Sequence, residues 1–178
     1  MDIGTPLTPL YRPLMRACGW TRAQRLVLSG ADGSVLDVGC GPATLSECVT
    51  GGYVGVDIRM AMLSRADSTS VVCADAAALP FPGGAFDTVV STAFLGLLRL
   101  HAREKVLYEM ARVCRESLRI LEPVAPRGPI TRGLTLSRDP LSLDELRRAG
   151  WHIDVVEPGI YAGLYTLVRA RPTRPQSR

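Results

Sequence analysis

Short runs rich in valine and leucine alternate along the chain with longer stretches whose apolar residues recur at three and four. That pattern predicts strands joined by helices, an α/β layer architecture with a largely parallel sheet. Ser34–Val38, Tyr53–Val56, Val71–Ala74 and Phe86–Ser91 read as four successive strands. The first leads into a tight turn, Gly39-Cys-Gly-Pro42, and the second and third run out on Asp57 and Asp75. Thr21-Arg-Ala-Gln24 is a helix-start signal ahead of the first strand, and Gly30 and Gly33 close that helix. Ala43–Val49 and Met60–Ala66 predict short helices. Between His101 and Ser117, the residues Val106, Leu107, Met110, Val113 and Cys114 share one helical face, and Leu118–Leu121 is a fifth strand. Pro123–Pro140 holds four prolines and two glycines and predicts a long loop, which could serve as a lid. Ser142-Leu-Asp-Glu145 is a capping box for a helix that Gly150 ends, followed by a closing strand pair, Trp151–Glu157 and Tyr161–Arg169.

Composition narrows the class. With 178 residues, 47% of them apolar, the chain can bury a core without disulfides or metal, and a single domain is expected over 1–170. No uncharged run exceeds 11 residues, far below the ~18 of a spanning helix, so no membrane span is expected. The opening Met1-Asp-Ile-Gly-Thr-Pro6 has no basic segment leading into an apolar one, which places the protein in the cytoplasm. Five cysteines, at 18, 40, 48, 73 and 114, form no C-x-x-C pair and read as reduced core residues. The net charge of +4 would suggest nucleic acid, but without Arg169, Arg171, Arg174 and Arg178 the chain is neutral. The excess sits at the end, and residues 171–178 read as a disordered basic tail.

The chemistry lies in three acids, Asp37, Asp57 and Asp75, at or near the ends of consecutive strands. Ligands of open parallel sheets bind outside those ends, so the three carboxylates should share one crevice. The turn at Gly39 and Gly41 lets a ligand approach the backbone, and Asp57, 20 residues beyond Asp37, is placed to accept from a ribose diol. A dinucleotide site would put a third glycine at position 44, where this chain has Thr44. A carboxylate at Asp75 followed by the Ala76 N–H suits an adenine edge.

Val35–Leu45, Val54–Ile58, Cys73–Phe81 and Phe86–Thr92 together resemble the four successive cofactor motifs of class I S-adenosylmethionine-dependent methyltransferases. The likeness points to the small-molecule branch that includes the ubiquinone and menaquinone C-methyltransferases. The resemblance implies a three-layer Rossmann-like sandwich whose seven-stranded, mostly parallel sheet ends in an antiparallel last strand. It also implies S-adenosylmethionine as cofactor and S-adenosylhomocysteine as product. Asp37, Gly39, Cys40 and Gly41 would surround the methionine part, and Asp57 the ribose, with Ile58 on the adenine face. Asp75 and Ala76 would read the adenine edge, and Ser91 would lie beside the sulfonium. One departure is clear: family members carry a Pro-Gly-Gly turn before the fifth strand, where this chain has Arg115-Glu-Ser-Leu-Arg119, so helix and strand should meet almost directly.

Methyl transfer from a sulfonium needs alignment and exclusion of water, with a base only if the acceptor arrives protonated. His101 and His152 are candidate bases. Tyr11 and Arg16 are candidates to cover the cofactor carboxylate, and Glu122 to face the acceptor. No catalytic residue is assigned, and no metal is expected. Ser91-Thr-Ala-Phe94 lacks the Asn/Asp-Pro-Pro-aromatic turn of amino-methylating DNA enzymes, so a small molecule is the expected acceptor rather than nucleic acid. Two rivals stay open: a non-catalytic S-adenosylmethionine-binding regulatory module, and a nicotinamide-dependent oxidoreductase.

Overall fold

The computed structural model describes residues 19–68, 70–123, 140–160 and 164–173. The apolar runs form strands β1 (Val35–Val38), β2 (Tyr53–Asp57), β3 (Val71–Cys73), β4 (Phe86–Thr92), β5 (Cys114–Pro123), β6 (Trp151–Ile160) and β7 (Tyr165–Pro172). They make one seven-stranded sheet in the order β3-β2-β1-β4-β5-β7-β6. The first five strands are parallel where they pair. β7 runs antiparallel to both β5 and β6, so the last strands reverse the sheet as expected.

Helices α1 (Trp20–Leu28), α2 (Met60–Leu63), α3 (Leu100–Val113) and α4 (Leu143–Arg148) connect or flank the strands. Alternation along the strands sends side chains to two separate apolar layers. On one face Trp20, Ala23 and Val27 of α1 bury against Val35, Val90, Leu121 and Leu167. On the other, Val106, Leu107, Met110 and Val113 of α3 bury against Leu36, Val38, Val89, Leu118 and Ile120. Trp151 closes this second layer, and its indole N–H donates to the Leu107 carbonyl at 3.3 Å. Among the described residues no helix is long and apolar enough to cross a membrane.

Local details differ from expectation for identifiable reasons. Thr21 does not cap α1; Gly19, at φ 83, occupies that position, and the Gln24 side chain donates to Thr44 Oγ1 at 2.9 Å. The segment expected as a helix over Ala43–Val49 is a 3-10 helix, Thr44–Cys48, entered through Ala43 at φ 54. α2 is a single turn and stops short of Ala66. The helix expected to reach Ser117 ends at Val113, because Cys114 pairs with Phe86 and Ser117 with Thr88 in the sheet. Thr88 Oγ1 and Ser117 Oγ are 3.0 Å apart, which secures that register. As the missing Pro-Gly-Gly turn suggested, helix passes into strand with no residue between them.

The capping box is complete: Asp144 N–H donates to Ser142 Oγ at 3.2 Å and Ser142 N–H to Glu145 Oε1 at 3.1 Å. β7 extends through Arg171 and Pro172, the first two residues of the expected tail. Thr173 fastens that end, donating its N–H and its hydroxyl to the Gly150 carbonyl at 2.9 and 3.0 Å. The expected lid over Pro123–Pro140 falls almost wholly outside the described residues, as do Tyr11, Arg16, Cys18 and the end of the tail. Cys40 and Cys114 are core residues, whereas Cys48 is half-buried and Cys73 exposed.

Candidate functional site

The turn after β1 is built by glycine. Gly39 has φ 76 and Gly41 φ 54, backbone regions that side-chain-bearing residues avoid. A Cβ on Gly39 would collide with the Phe94 ring. Because β1 lies beside β2 in parallel register, the turn sits over the end of β2, where the N–H groups of Gly39 and Cys40 donate to Val56 O at 2.8 and 3.0 Å. Asp57 completes the fastening: Oδ2 accepts from Gly41 N–H at 3.0 Å and Oδ1 from Arg59 N–H at 2.8 Å. The Arg59 Nε contact to Oδ1 is long, 3.4 Å, and that side chain is 55% exposed, so a ligand hydroxyl could replace it.

Outside the ends of β1, β2 and β3 lies a cavity of about 330 Å³. Gly39, Asp57, Ile58, Asp75 and Ala76 line it, five of the nine expected cofactor residues. Ile58 is 64% exposed and offers an apolar face, while Asp75 turns Oδ1 back to accept from Ala77 N–H at 2.9 Å. The opposite wall is Phe94, Leu98 and the α3 residues His101, Ala102, Lys105 and Val106. Sequence reasoning picked out only His101 from this wall. The spacing of 101, 102, 105 and 106 on one helical face was the available signal.

The other four positions surround the turn without lining the cavity. Asp37 is buried on the α1 face of the sheet and accepts from Tyr53 Oη at 3.0 Å through Oδ2. Burial, with Asp57 nearby, pushes its carboxyl up to about 7, against the lowering effect of the Tyr53 bond. Its Oδ1 has no hydrogen-bond partner, and neither has Ser91 Oγ, on the opposite face. Cys40 is buried beside Ala43 and Leu63, and burial drives its thiol well above the usual range. Gly41 meets the site through its bond to Asp57. Tyr53 escaped the sequence reading because its partner, Asp37, lies on a neighbouring strand.

Of the remaining candidates, His152 is exposed on β6 at the far edge of the sheet, 3.8 Å from Asp154, and is not near the cavity. Glu122 is neither an exposed strand end nor free to face an acceptor. It is buried, and its oxygens accept from the N–H groups of Phe94, Leu95 and Gly96 at 2.9, 2.8 and 3.1 Å. No group of ligating side chains suited to a metal occurs among the described residues.

Residues 35–117 match the model of the methyltransferase domain family. No curated protein matches the chain. Among solved structures, a chain of the complex between the Haloferax volcanii Trm112 methyltransferase activator and a methyltransferase superposes with a TM-score of 0.74 at 14% identity, covering 95% of this chain and 96% of that one. An S-adenosylmethionine-dependent methyltransferase from Methanosarcina mazei gives 0.63 at 19% identity over 78% of this chain and 92% of that one. The [4+2]-cyclase SpnF gives 0.68 at 21% identity over 88% and 81%. At such identities the structural likeness is one of fold. Residues 35–117 thus match the methyltransferase domain family, and the solved structures share the fold that surrounds them.

Proposed function

We propose that the protein transfers a methyl group from S-adenosylmethionine to a small-molecule acceptor. One observation carries the cofactor half of this reading: Gly39, Asp57, Ile58, Asp75 and Ala76 converge on a single cavity outside the parallel strand ends. Their chemistry suits an adenosyl group. Asp57 can accept from ribose hydroxyls, Ile58 can lie on the base, and the Ala76 N–H with Asp75 can read its edge. Asp37 Oδ1, buried and without a hydrogen-bond partner, suits the aminoacyl end, where a cation would favour its ionised form. Bound there, the sulfonium supplies an activated methyl with its own leaving group.

The chain's contribution is then to bind, orient and exclude water. Phe94 and Leu98 cover the cavity from the α3 side and keep it apolar. His101 lines the same cavity and is the residue best placed to take a proton from an acceptor. A small acceptor is favoured by the near-neutral charge of the body and by Ser91-Thr-Ala-Phe94, which offers no amide to orient a nucleobase amine.

Calorimetric titration with S-adenosylhomocysteine tests the cofactor, with NAD as the rival ligand. Binding of the first and not the second is expected; the reverse would establish the oxidoreductase alternative. Incubation with methyl-labelled S-adenosylmethionine and mixed phenol, quinol and amine acceptors tests the reaction, and label should enter the low-molecular-weight fraction. Binding without label transfer to any acceptor would favour a regulatory module.

A further inference from the structure

We propose that Glu122 is a positioning residue for the cofactor cavity, acting through the turn Phe94–Gly96 that it holds beneath Phe94. The proposal rests on the cavity being the cofactor site. Glu122 lies on β5, separated from β1 by β4, and does not line the cavity. Its carboxylate accepts three consecutive backbone N–H groups, from Phe94, Leu95 and Gly96, and is only 4% exposed. Those donors open the 3-10 helix Leu95–Leu97, where N–H groups have no partner of their own, so an acceptor with two oxygens fixes the turn.

The turn matters because of what it carries. Ala93, just before it, is held at φ 53, a region costly for a residue with a Cβ. The Phe94 ring lies against Gly39 so closely that no side chain could replace that glycine's hydrogen. It lines the cavity beside Gly39 and Asp57. Three charge-assisted bonds therefore hold a strained backbone in the geometry that brings an aromatic ring to the cavity wall.

The charged groups around Glu122 support this arrangement. Arg103 of α3 faces it and lowers its pKa, while donating to Leu95 O at 3.4 Å from the other side of the same turn. Arg103 is itself paired with Glu145 of α4 at 2.6 and 3.1 Å. Burial dominates, however, and lifts the Glu122 carboxyl to about 7. A protonated carboxyl keeps acceptor lone pairs but loses the charge that strengthens these bonds, so all three are charge-assisted only while Glu122 is ionised. Cofactor affinity should then fall as pH drops through neutrality, with Glu122 adding its proton to that of Asp37.

The test is calorimetry with S-adenosylhomocysteine between pH 6 and pH 8.5. Glu122→Gln keeps the shape but presents an N–H₂ to an N–H donor. It should weaken binding about tenfold at pH 8, the scale of one charge-assisted hydrogen bond, and flatten the pH dependence by one proton. Added to Phe94→Ala, Glu122→Gln should cost nothing further, because the residue it positions is gone. Unchanged affinity and pH profile in Glu122→Gln, or losses that add in the double variant, would overturn the proposal. Should Glu122→Gln fail to fold, wild type against Phe94→Ala decides: the variant's profile must be shallower, and identical profiles reject the role. Wild type that binds no S-adenosylhomocysteine at any pH would instead overturn the cofactor reading itself.

Discussion

Where β1, β2 and β3 end, acids are buried at a cost; where β1, β4 and β5 begin, they are stabilised. At the first edge Asp37 and, behind it, Glu122 are pushed up to about 7, and Asp37 Oδ1 and Ser91 Oγ have no hydrogen-bond partner. Ala43 and Ala93 add backbone strain there. At the other edge Asp87 accepts from Ser34 N–H and Oγ, both at 2.8 Å, and from Arg115, all of which hold its carboxyl below the usual range. Arg112 likewise grips Glu109 and the carbonyls of Phe81 and Leu79. Arg119 donates to the carbonyls of Val27, Ser29 and Gly30 at 3.0, 2.5 and 2.8 Å, closing the C-terminus of α1. One edge spends stability on groups suited to a ligand, and the other restores it.

If that contrast is right, substitutions at the second edge should unfold the protein and those at the first should disarm it. The largest effect is expected for Arg119→Met, which strands three carbonyls: a loss of ~3 kcal/mol in urea unfolding, with S-adenosylhomocysteine affinity unchanged while the protein is folded. Asp57→Ala should do the reverse. It should lose ~1.5 to 3 kcal/mol of binding in calorimetry, and a variant that binds normally would remove Asp57 from the site.

The next test is pH. The folded-state pKa values of Asp37 and Glu122 lie above their ordinary values of 3.8 and 4.5. Between about pH 7 and pH 4 the folded state therefore holds protons that the unfolded state does not. From these two groups, unfolding free energy should rise as pH falls from 8 to 5, while cofactor affinity falls over the same window. Asp87 and Glu109, whose pKa values are lowered, contribute stability above their unfolded values and lose it only at more acid pH. Urea unfolding and calorimetry across this range should thus diverge; parallel curves would erase the distinction between the edges. The smallest effect is expected for Ser91→Ala, which removes a buried hydroxyl that has no partner. Stability should change by less than ~0.5 kcal/mol, or rise.

The sequence disclosed this architecture unevenly. β1, β2 and β4 were legible because a strand buried on both faces must be almost wholly apolar, and the capping box of α4 because its bonds span three residues. Asp57, Asp75 and the glycine turn were legible for the same reason: strand ends mark the binding edge of a parallel sheet. What stayed hidden depends on distant partners. Tyr53 acquires its meaning from Asp37, and Glu122 from N–H groups 26 to 28 positions earlier. The early start of β5 was masked because Cys114 continues the helical apolar stripe while pairing with Phe86 in the sheet. The 3-10 segment at Thr44–Cys48 is too short for any period to declare itself.

The seam between α3 and β5 leaves the chain no slack. Helix and strand repeat at different intervals, so a single residue inserted after Val113 would turn β5 over and carry Arg119 and Glu122 to the wrong faces together. Variation in length among descendants of this chain is thereby barred from that junction and driven to the connections beyond the sheet.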